Sequence, residues 1–469
     1  MLLKTFYDNE LAQASYMIGC QATGEALVVD AARDIAPYLR AAANEGLRIA
    51  HVTETHIHAD FVSGSRELTY ATGARLYLSA EGGPDWLYGF STPDTVWLHD
   101  GDTWMVGNVR IQALHTPGHT PEHLVFLFTD TKQADQPMGI LAGDLLFVGD
   151  IGRPDLLEEA AGIAGTKEPG ARQQFHNVQR LKTMPDYLMV LPGHGAGSAC
   201  GKALGAVPTS TLGYEKLFNP AFQIADEDSF VRWLLSGQPE PPAYFAEMKR
   251  VNKAGPALLA ELPAPEMLEG FVLEERLADG ATILDARPRA ARPGIIPGTL
   301  IVPPTDRFNT YAGWVVDYRK PVYLIADEAD VPDLVRQLHA VGIDDVPGYF
   351  TSAVAEPYAQ DMPQMSAPEA FAALREDEWI VLDVRNQSEY QEGHVAGAIP
   401  ILYGMLPRRL DDVPRGRPLL VYCASGVRSA IATSVLVRAG FTDVYDLIGG
   451  FDAWRAAGLP VETDEAVPV

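Results

Sequence analysis

The feature that most constrains this chain is the hexapeptide THIHAD at residues 55–60. It follows a run with the pattern of a β-strand, residues 48–54, and precedes the small residues Gly64 and Ser65. Two imidazoles at positions i and i+2, with a carboxylate two residues further on, can converge from one loop at the carboxyl end of a strand. Imidazole and carboxylate together suit zinc, iron or manganese. Since only 11 histidines occur in 469 residues, this clustering favours a metal site over an ordinary polar loop.

Two later stretches supply the further groups that a metal site needs. The sequence TPGHT at residues 116–120 lies between an apolar run that ends at Leu114 and a strand-like run at residues 124–128. The sequence ILAGD at residues 140–144 ends another apolar strand with the carboxylate of Asp144. Each stretch alone is a weak indication, because histidines beside Pro-Gly turns are usually exposed and an Asp after a strand is usually a turn former. In this order and at this spacing, the three stretches strongly indicate one metal-binding domain.

These three motifs, THxHxD, TPGHT and GD, resemble those of the metallo-β-lactamase fold superfamily, in its glyoxalase II and persulfide dioxygenase branch. The resemblance covers roughly the first half of the chain and implies a four-layer αββα sandwich. The apolar pattern itself predicts a layered α/β domain. The predicted strands are residues 26–30, 48–53, 74–79, 109–114 and 124–128, and the predicted helices are residues 35–45 and 64–72.

One departure from the dinuclear members of this family concerns the residue after the motif aspartate. In those zinc enzymes it is a second-metal histidine, whereas here it is Phe61, which cannot bind a metal. The resemblance to persulfide dioxygenases implies one Fe(II) per chain, held by His56, His119 and Asp144. Two histidines and one carboxylate leave open positions for O2 and a substrate sulfur, as in other non-haem iron oxygenases. The residues alone would equally accept a catalytic zinc with three ligands and a water.

Further residues near these motifs are candidates for roles around the metal. The GRPD stretch at residues 152–155 matches the persulfide dioxygenases, in which the arginine lies in the substrate region, and Arg153 is therefore a candidate substrate-binding residue. His194 matches the position of a second-metal ligand, and beside Phe61 we interpret it as a residue that shapes the substrate pocket. Hydrogen bonds that orient the ligands are expected from His58, Asp60, His115 and His123.

The loop GSACGK at residues 197–202 carries the thiol of Cys200 close to Lys202. A nearby ammonium and exposed amides would lower the pKa of this thiol and make it nucleophilic. Because the loop follows His194 by a few residues, Cys200 is a candidate for sulfur relay at the metal. The commoner alternative is a small buried cysteine at a tight turn, and Cys20 is predicted to be such a packing residue.

Composition and charge limit the partners and the compartment. The length of 469 residues predicts about three domains. A net charge of -26 repels nucleic acid and anionic membranes, so an anionic substrate requires local positive groups in its pocket. The first ten residues lack the apolar core of a signal peptide, and no long apolar stretch predicts a membrane span. Three widely spaced cysteines argue against a disulfide framework and for a reducing cytoplasm.

The second half of the chain contains a repeat. The segments ILDAR (283–287) and GIIPGT (294–299) have counterparts in VLDVR (381–385) and GHVAGA (393–398). Both units resemble rhodanese domains, the second closely. Ser366 and Glu369 predict a capping box that opens the first helix of the second unit.

Cys423 is the reactive group of the second unit. It follows a strand-like run at residues 418–422 and precedes a predicted helix that ends at Arg438. A thiolate at a strand end, wrapped by loop amides and facing a helix N-terminus, is stabilised by these dipoles and by Arg428. The loop is one residue shorter than in the cysteine phosphatases, which fits sulfur transfer. In the first unit the corresponding strand ends at Ala326 and Asp327, and that cysteine-less unit is expected to be a structural or docking module.

We therefore predict an α/β protein with a metallo-β-lactamase-fold domain at residues 1–255, a cysteine-less rhodanese-like domain at 262–360 and an active rhodanese domain at 364–469. The chain resembles persulfide dioxygenase–rhodanese fusions. That resemblance implies oxidation of a low-molecular-weight thiol persulfide by O2 to sulfite or thiosulfate, in sulfide detoxification, with sulfane sulfur exchanged at Cys423. The alternatives are a glyoxalase II-type dinuclear zinc thioester hydrolase and a sulfur-carrier or scaffold protein with a vestigial metal fold. The oligomeric state stays open, a homo-oligomer included.

Overall fold

The structure, a computed structural model, describes residues 1–160, 162–202, 204–289, 292, 294–376 and 378–463. The chain divides into two compact units. The first unit holds Met1–Glu261 with His339–Gly342, and the second holds Leu262–Leu338 with Ile343–Val469.

The first unit contains two six-stranded sheets. The strands are β1 (Leu2–Asp8), β2 (Gln13–Cys20), β3 (Glu25–Val29), β4 (Arg48–Thr53), β5 (Arg75–Ser79), β6 (Val96–Leu98), β7 (Thr103–Val106), β8 (Val109–His115), β9 (Leu124–Asp130), β10 (Gly139–Gly143), β11 (Met189–Pro192) and β12 (Ser210–Thr211). The order in the first sheet is β1-β2-β3-β4-β5-β6, and in the second it is β12-β11-β10-β9-β8-β7.

The first unit also contains helices, most of which pack on the outer faces of these sheets. They are α1 (Ala36–Asn44), α2 (Ser65–Thr72), α3 (Leu156–Glu159), α4 (Lys167–Lys182), α5 (Leu212–Phe218), α6 (Pro220–Gln223), α7 (Glu227–Leu235) and α8 (Phe245–Ala254). The predicted strands and helices of this half are confirmed, with ends shifted by one or two residues.

Three hydrophobic clusters define four layers. Alternate residues of β2 face opposite sides, as strand geometry requires: Ile18 packs with Phe126 between the two sheets, whereas Met17 packs with Tyr38 of α1 outside the first sheet. On the outer face of the second sheet, Val190 packs with residues of α4 and α7. The fold class predicted for this half, an αββα sandwich, is confirmed.

The second unit contains two five-stranded parallel sheets. Repeat sheet 1 comprises β13 (Glu266–Met267), β14 (Thr282–Asp285), β15 (Leu300–Ile301), β16 (Val322–Ile325) and β17 (Gly348–Phe350). Repeat sheet 2 comprises β18 (Gln364–Met365), β19 (Ile380–Asp383), β20 (Ile399–Pro400), β21 (Leu419–Tyr422) and β22 (Val444–Leu447). Their strand orders, β13-β17-β16-β14-β15 and β18-β22-β21-β19-β20, are the same when each is counted from its own first strand.

The helices of this unit are α9 (Gly270–Ala278), α10 (Phe308–Val315), α11 (Val331–Ala340), α12 (Ser352–Ala355), α13 (Ala367–Ala373), α14 (Gln387–Glu392), α15 (Val427–Arg438) and α16 (Gly450–Ala456). The predicted capping box at Ser366 and Glu369 is present at the start of α13. Among the described residues no helix is long and apolar enough to cross a membrane.

The repeat also appears in a buried ion pair at the same place in both sheets. Arg287 donates from Nε and Nη2 to Asp285 at 2.8 and 2.7 Å, and Arg385 donates from Nε and Nη2 to Asp383 at 3.0 and 2.6 Å. Each aspartate ends a buried strand. Because a bidentate guanidinium satisfies both carboxylate oxygens, these charges can be buried where the chain leaves the sheet.

Candidate metal centre and thiol loop

Three predicted metal ligands come from loops that follow β4, β8 and β10. The ligand atoms of His56, His119 and Asp144 lie within 4.8 Å of one another, and all three residues are buried. The Nε2 atom of His119 is 3.4 Å from Asp144 Oδ2, and that of His56 is 4.0 Å from the same oxygen. The turn after β10 depends on Gly143, whose φ is +48° and where a Cβ would lie 2.8 Å from Thr55.

Hydrogen bonds set the tautomers of the two histidines. His119 Nδ1 donates to the carbonyl of Arg153 at 2.9 Å, and His56 Nδ1 bonds Thr55 Oγ1 at 2.9 Å. The Thr55 hydroxyl donates to Asp30 Oδ2 at 3.0 Å, so its oxygen accepts from His56. In both rings the Nε2 lone pair is left for a metal. Burial, and then the positive charges around them, lower the pKa of His56 and of His119 well below the usual value, which keeps both rings neutral.

The buried atoms at this centre fit a metal ion. His119 Nε2 and both oxygens of Asp144 make no hydrogen bond within the described part of the chain. Burial raises the pKa of Asp144 to about 6. A buried carboxylate without hydrogen bonds is unfavourable unless a cation compensates it, and two imidazoles with a carboxylate are a common donor set for divalent transition metals.

A second group of candidate ligands lies beside the first. The ligand atoms of Asp60, His194 and Cys200 are within 4.8 Å of one another, and all three residues are buried. His194 Nε2 lies 3.3 Å from Asp60 Oδ2 and 3.4 Å from Asp144 Oδ1. His194 therefore connects the two groups. Cys200 thus lies beside the metal centre, as the short distance in sequence from His194 suggested.

The expectation that Lys202 activates Cys200 is wrong. The Lys202 ammonium donates to the carbonyls of Trp233 and Ser236 at 2.5 and 3.1 Å. Burial, followed by the charges of Asp144 and Asp60, raises the pKa of the Cys200 thiol well above its usual value. The neighbours of Cys200 are carboxylates rather than cations, and they favour its protonated form over the thiolate.

Arg153 is buried, and its guanidinium bonds protein groups. Nε and Nη2 donate to Asp155 at 2.8 and 2.6 Å, while Nη1 donates to the carbonyls of Ala199 and Pro239 at 3.1 and 2.7 Å. The role of Arg153 in substrate binding stays a prediction. The main-chain carbonyl of Arg153 does have a role in the structure, because it accepts the hydrogen bond that orients the ring of His119.

The residues expected to orient the ligands divide into two groups. His123 Nε2 accepts from the amide of Asp144 at 3.1 Å, and His58 Nε2 bonds Asp30 Oδ1 at 3.1 Å. His115 instead bonds the carbonyl of Pro121 at 2.8 Å, within the loop between β8 and β9. The sequence analysis did not single out Asp30, although a carboxylate directly after β3 is the same signal as Asp144 after β10.

The loop after β4 that carries His56, called the metal loop below, is also held in place by hydrogen bonds from a helix distant in sequence. Asn252 of α8 donates to the carbonyls of His58 and Phe61 at 2.9 and 2.7 Å, and its Oδ1 accepts from the amide of Ser63 at 2.9 Å. The ring of Phe61 is buried and lies 4.4 Å from the ring of His58. Phe61 thus packs in the interior of the loop that carries His56.

In the second unit, Cys423 directly follows β21, and α15 begins four residues later. Its thiol is buried, and the amide of Gly426 donates to Sγ at 3.1 Å. Gly426 has a φ of +103°, which favours glycine and turns this amide toward the sulfur. Ser429 Oγ lies 3.6 Å from Sγ. The sulfur thus sits between a strand end and the start of a helix, with a backbone amide directed at it.

Arg428 forms an ion pair with a carboxylate close to the loop that carries Cys423, called the thiol loop below. Its Nη1 and Nη2 atoms donate to Glu389 at 2.6 and 2.7 Å. The role of Arg428 in stabilising the thiolate stays a prediction. The loop after β14 also contributes to these surroundings, since a Cβ at Gly426 would lie 3.0 Å from Nη1 of Arg289.

Comparisons with known proteins match both parts of the chain. Residues 8–194 match the metallo-beta-lactamase superfamily, and residues 366–457 match the rhodanese-like domain. The chain is similar to the crystal structure of a metallo-beta-lactamase from Staphylococcus aureus subsp. aureus COL, with 43% identity and a TM-score of 0.69 over 75% of this chain and 99% of that one.

Two curated relatives match separate parts of the chain. A hydroxyacylglutathione hydrolase of Rhodopseudomonas palustris is 30% identical over 50% of this chain and 80% of its own length. The thiosulfate sulfurtransferase GlpE of Coxiella burnetii is 37% identical over 20% of this chain and 87% of its own length. The chain therefore belongs to the metallo-beta-lactamase superfamily, and a rhodanese-like domain follows its metal-binding fold.

Proposed function

We propose that this protein is a persulfide dioxygenase that uses one non-haem iron, held by His56, His119 and Asp144, and that Cys423 serves as its sulfurtransferase residue. The observation that carries the proposal is the buried set of two histidines and one carboxylate, with unsatisfied donor atoms, in a chain where Phe61 replaces the second-metal histidine. The reaction converts a thiol persulfide, O2 and water into the thiol and sulfite, as a step of sulfide detoxification.

Bound iron would supply adjacent coordination positions for O2 and for the terminal sulfur of the persulfide. The protein supplies the rest of the site. Thr55 and the carbonyl of Arg153 hold the ligand rings in one tautomer, and the amide of Asp144 is fixed by His123. Burial of all three ligands keeps bulk water away from the reacting atoms.

The thiol loop would exchange sulfane sulfur between thiosulfate, sulfite and an acceptor thiol. Cys423 Sγ attacks the outer sulfur of thiosulfate, the sulfur–sulfur bond breaks, and its electron pair leaves with sulfite. Cys423 then carries a persulfide. An acceptor thiolate attacks the outer sulfur of this persulfide, and the cysteine thiolate is released. The Gly426 amide stabilises the anionic sulfur in both states. With sulfite in excess, the same steps run in reverse and form thiosulfate.

Metal analysis combined with oxygen uptake tests this proposal. Protein produced without zinc supplementation should contain about one iron per chain and should consume O2 when a thiol persulfide is added. Two stoichiometric zinc ions and no oxygen uptake would contradict the proposal.

The second candidate is a dinuclear metal hydrolase of thioesters. The cluster of Asp60, His194 and Cys200 beside the first ligand group favours it, because these residues would hold a second metal, which would help to generate a hydroxide nucleophile. Hydrolysis of a glutathione thioester, lost in a Cys200→Ser variant together with one of two bound metals, would support this candidate over the dioxygenase.

A further inference from the structure

The cysteine-less rhodanese-like domain, called repeat 1 below, contacts helix α15, which follows the thiol loop. Ser434 Oγ on this helix accepts a hydrogen bond from the amide of Ile301 at 2.9 Å. Arg438 Nη1 donates to the carbonyl of Ala281 at 2.9 Å. Ile301 also shares a hydrophobic cluster with Ala430 of α15. Repeat 1 therefore holds the helix whose first turn adjoins the thiol loop.

The side chain of Arg289 in repeat 1 reaches the thiol loop itself. A Cβ at Gly426 would lie 3.0 Å from Arg289 Nη1, and the amide of Gly426 donates to Cys423 Sγ at 3.1 Å. Two covalent bonds of about 1.5 Å join that Cβ to the amide nitrogen, so Arg289 Nη1 lies within about 9 Å of the sulfur. Because the Debye length at physiological ionic strength is about 8 Å, the charge of Arg289 acts on an anion bound at the sulfur.

Arg289 is open to solvent and has no partner of its own. It is exposed, and its side chain forms no hydrogen bond or ion pair with any residue that the structure describes. Ser425, the loop residue beside Gly426, is exposed as well. The guanidinium and the thiol loop therefore meet at the surface, where an anion from solution can contact both.

The arginine of the thiol loop, by contrast, is already neutralised. Arg428 donates to both carboxylate oxygens of Glu389, at 2.6 and 2.7 Å. Burial raises the pKa of the nearby Asp446, and the charges of Arg289 and Arg292 act in the opposite direction. In a chain with a net charge of -26, an anionic sulfur donor needs a cation that is not already paired. Arg289 supplies such a cation.

We propose that Arg289 binds the sulfonate group of an anionic sulfur donor at Cys423, so that the donor site is formed by both rhodanese-like domains. The second domain supplies the sulfur nucleophile and the loop amide, and repeat 1 supplies the charge. Transfer of sulfur by Cys423 rests on the proposed function, whereas the preference for an anion is assigned from the placement of Arg289. Repeat 1 thus takes part in donor specificity.

The test compares two sulfur donors of different charge on the full chain, with 2-mercaptoethanol as the acceptor. Thiosulfate is a dianion, and methanethiosulfonate is a monoanion. We expect Arg289→Gln to lower kcat/KM for thiosulfate by roughly 10-fold, the effect of one charge-assisted hydrogen bond. The decrease for methanethiosulfonate should be smaller, and Arg289→Lys should retain part of the preference. Equal decreases for both donors, or none, overturn the assignment.

Two other arginines of repeat 1 provide the same change of charge as controls. Arg319→Gln should affect neither donor, because Arg319 donates to Asp317 at 2.9 and 3.0 Å. Arg307 is exposed, and its charge opposes the rise that burial causes in the pKa of Tyr311. Loss of the thiosulfate preference in Arg307→Gln but not in Arg289→Gln overturns the assignment.

Alkylation of Cys423 separates this inference from the proposed function. The rates with iodoacetate, an anion, and with iodoacetamide, a neutral reagent of similar size, are measured by peptide mass spectrometry. Arg289→Gln should lower the iodoacetate rate relative to the iodoacetamide rate. If thiosulfate supports no sulfur transfer but this ratio depends on Arg289, the sulfurtransferase proposal fails and the assignment of Arg289 stands. If both rates fall equally, Arg289 supports the loop without binding an anion, and the assignment is overturned.

A second pair of variants applies if Arg289→Gln does not fold. Arg289→Lys and Arg289→Met are then compared by the same ratio of alkylation rates. A lower ratio in Arg289→Met alone supports the assignment, and equal ratios in the two variants overturn it.

Discussion

The metal centre of the first unit and the thiol loop of the second both lie at carboxyl ends of β-strands, but they satisfy their polar atoms differently. At the metal centre, His119 Nε2, His194 Nε2 and both oxygens of Asp144 make no hydrogen bond among the described residues. At the thiol loop, Sγ of Cys423 accepts from the Gly426 amide, and the carbonyl of Cys423 accepts from the amide of Phe451 at 2.8 Å. One site needs an ion to be complete, and the other is completed by its own backbone.

This difference has consequences for stability as well as for chemistry. A site with buried, unsatisfied atoms is stabilised by whatever ion binds to the folded state. A loop whose hydrogen bonds are internal gains nothing from such an ion. The first unit should therefore respond to metal removal, whereas the second should not.

The largest expected effect comes from His119→Ala. Removal of one of three ligands should abolish iron binding and reduce oxygen uptake to background, while thiosulfate sulfurtransfer at Cys423 continues. Iron content by mass spectrometry and both activities are measured on the same preparation. Retention of full oxygen uptake in this variant would show that the metal is bound elsewhere.

The reciprocal change is Cys423→Ser. The hydroxyl that replaces the thiol cannot form a persulfide, so thiosulfate:thiol transfer should fall to background with no change in iron content. Cys423 is the sole cysteine after Cys200 in the chain, so no neighbouring thiol can substitute. Transfer that persists in Cys423→Ser would refute the assignment of the thiol loop.

Chelation of the metal should separate the stabilities of the two units. At a metal concentration about 1,000 times the Kd, bound metal stabilises the folded state by about 4 kcal/mol. Calorimetry of the full chain should show one transition that moves to lower temperature with chelator and one that does not move. Equal shifts of both transitions would contradict the contrast between the sites.

A smaller effect concerns Asp446, a buried carboxylate on β22 next to the strand that carries Cys423. Burial raises its pKa to about 6, above the ordinary value of 3.8. Because the folded state holds the proton more tightly, the second unit loses stability from this group as the pH rises from about 4 to above 6. Asp446→Asn should stabilise the chelator-insensitive transition by on the order of 2 kcal/mol at pH 7.5. The gain should shrink toward pH 4, and an equal gain at both pH values would contradict the titration.

The smallest expected effect belongs to Cys200. Since its thiol has a raised pKa among carboxylates, Cys200→Ser should leave the ratio of sulfite to thiosulfate unchanged. In the wild-type protein at pH 7, iodoacetamide should modify Cys200 more slowly than Cys423, as measured by peptide mass spectrometry. Faster modification of Cys200 would mean that a cation, rather than the carboxylates, governs this thiol.

The local pattern of the sequence determined much of this protein. Apolar periodicity predicted the strands that carry the site, and turn residues at their ends predicted where ligands would project. The capping box at Ser366 and the helix after Cys423 follow from residue types within a few positions of one another. These features are local because a helix start or a strand end is set by its own hydrogen bonds and side-chain volumes.

Only the tertiary structure decided the surroundings of these groups. Asp30 reaches the metal loop from the end of β3, Asn252 reaches it from α8, and Cys200 lies close to Asp60 and His194. Lys202 adjoins Cys200 in sequence but bonds carbonyls more than 30 residues away. A pKa or an unfilled hydrogen bond depends on burial and on every nearby charge, whichever part of the chain supplies it. The motifs and the family resemblance suggested the candidate ligands, and packing determined their protonation and their hydrogen-bond partners.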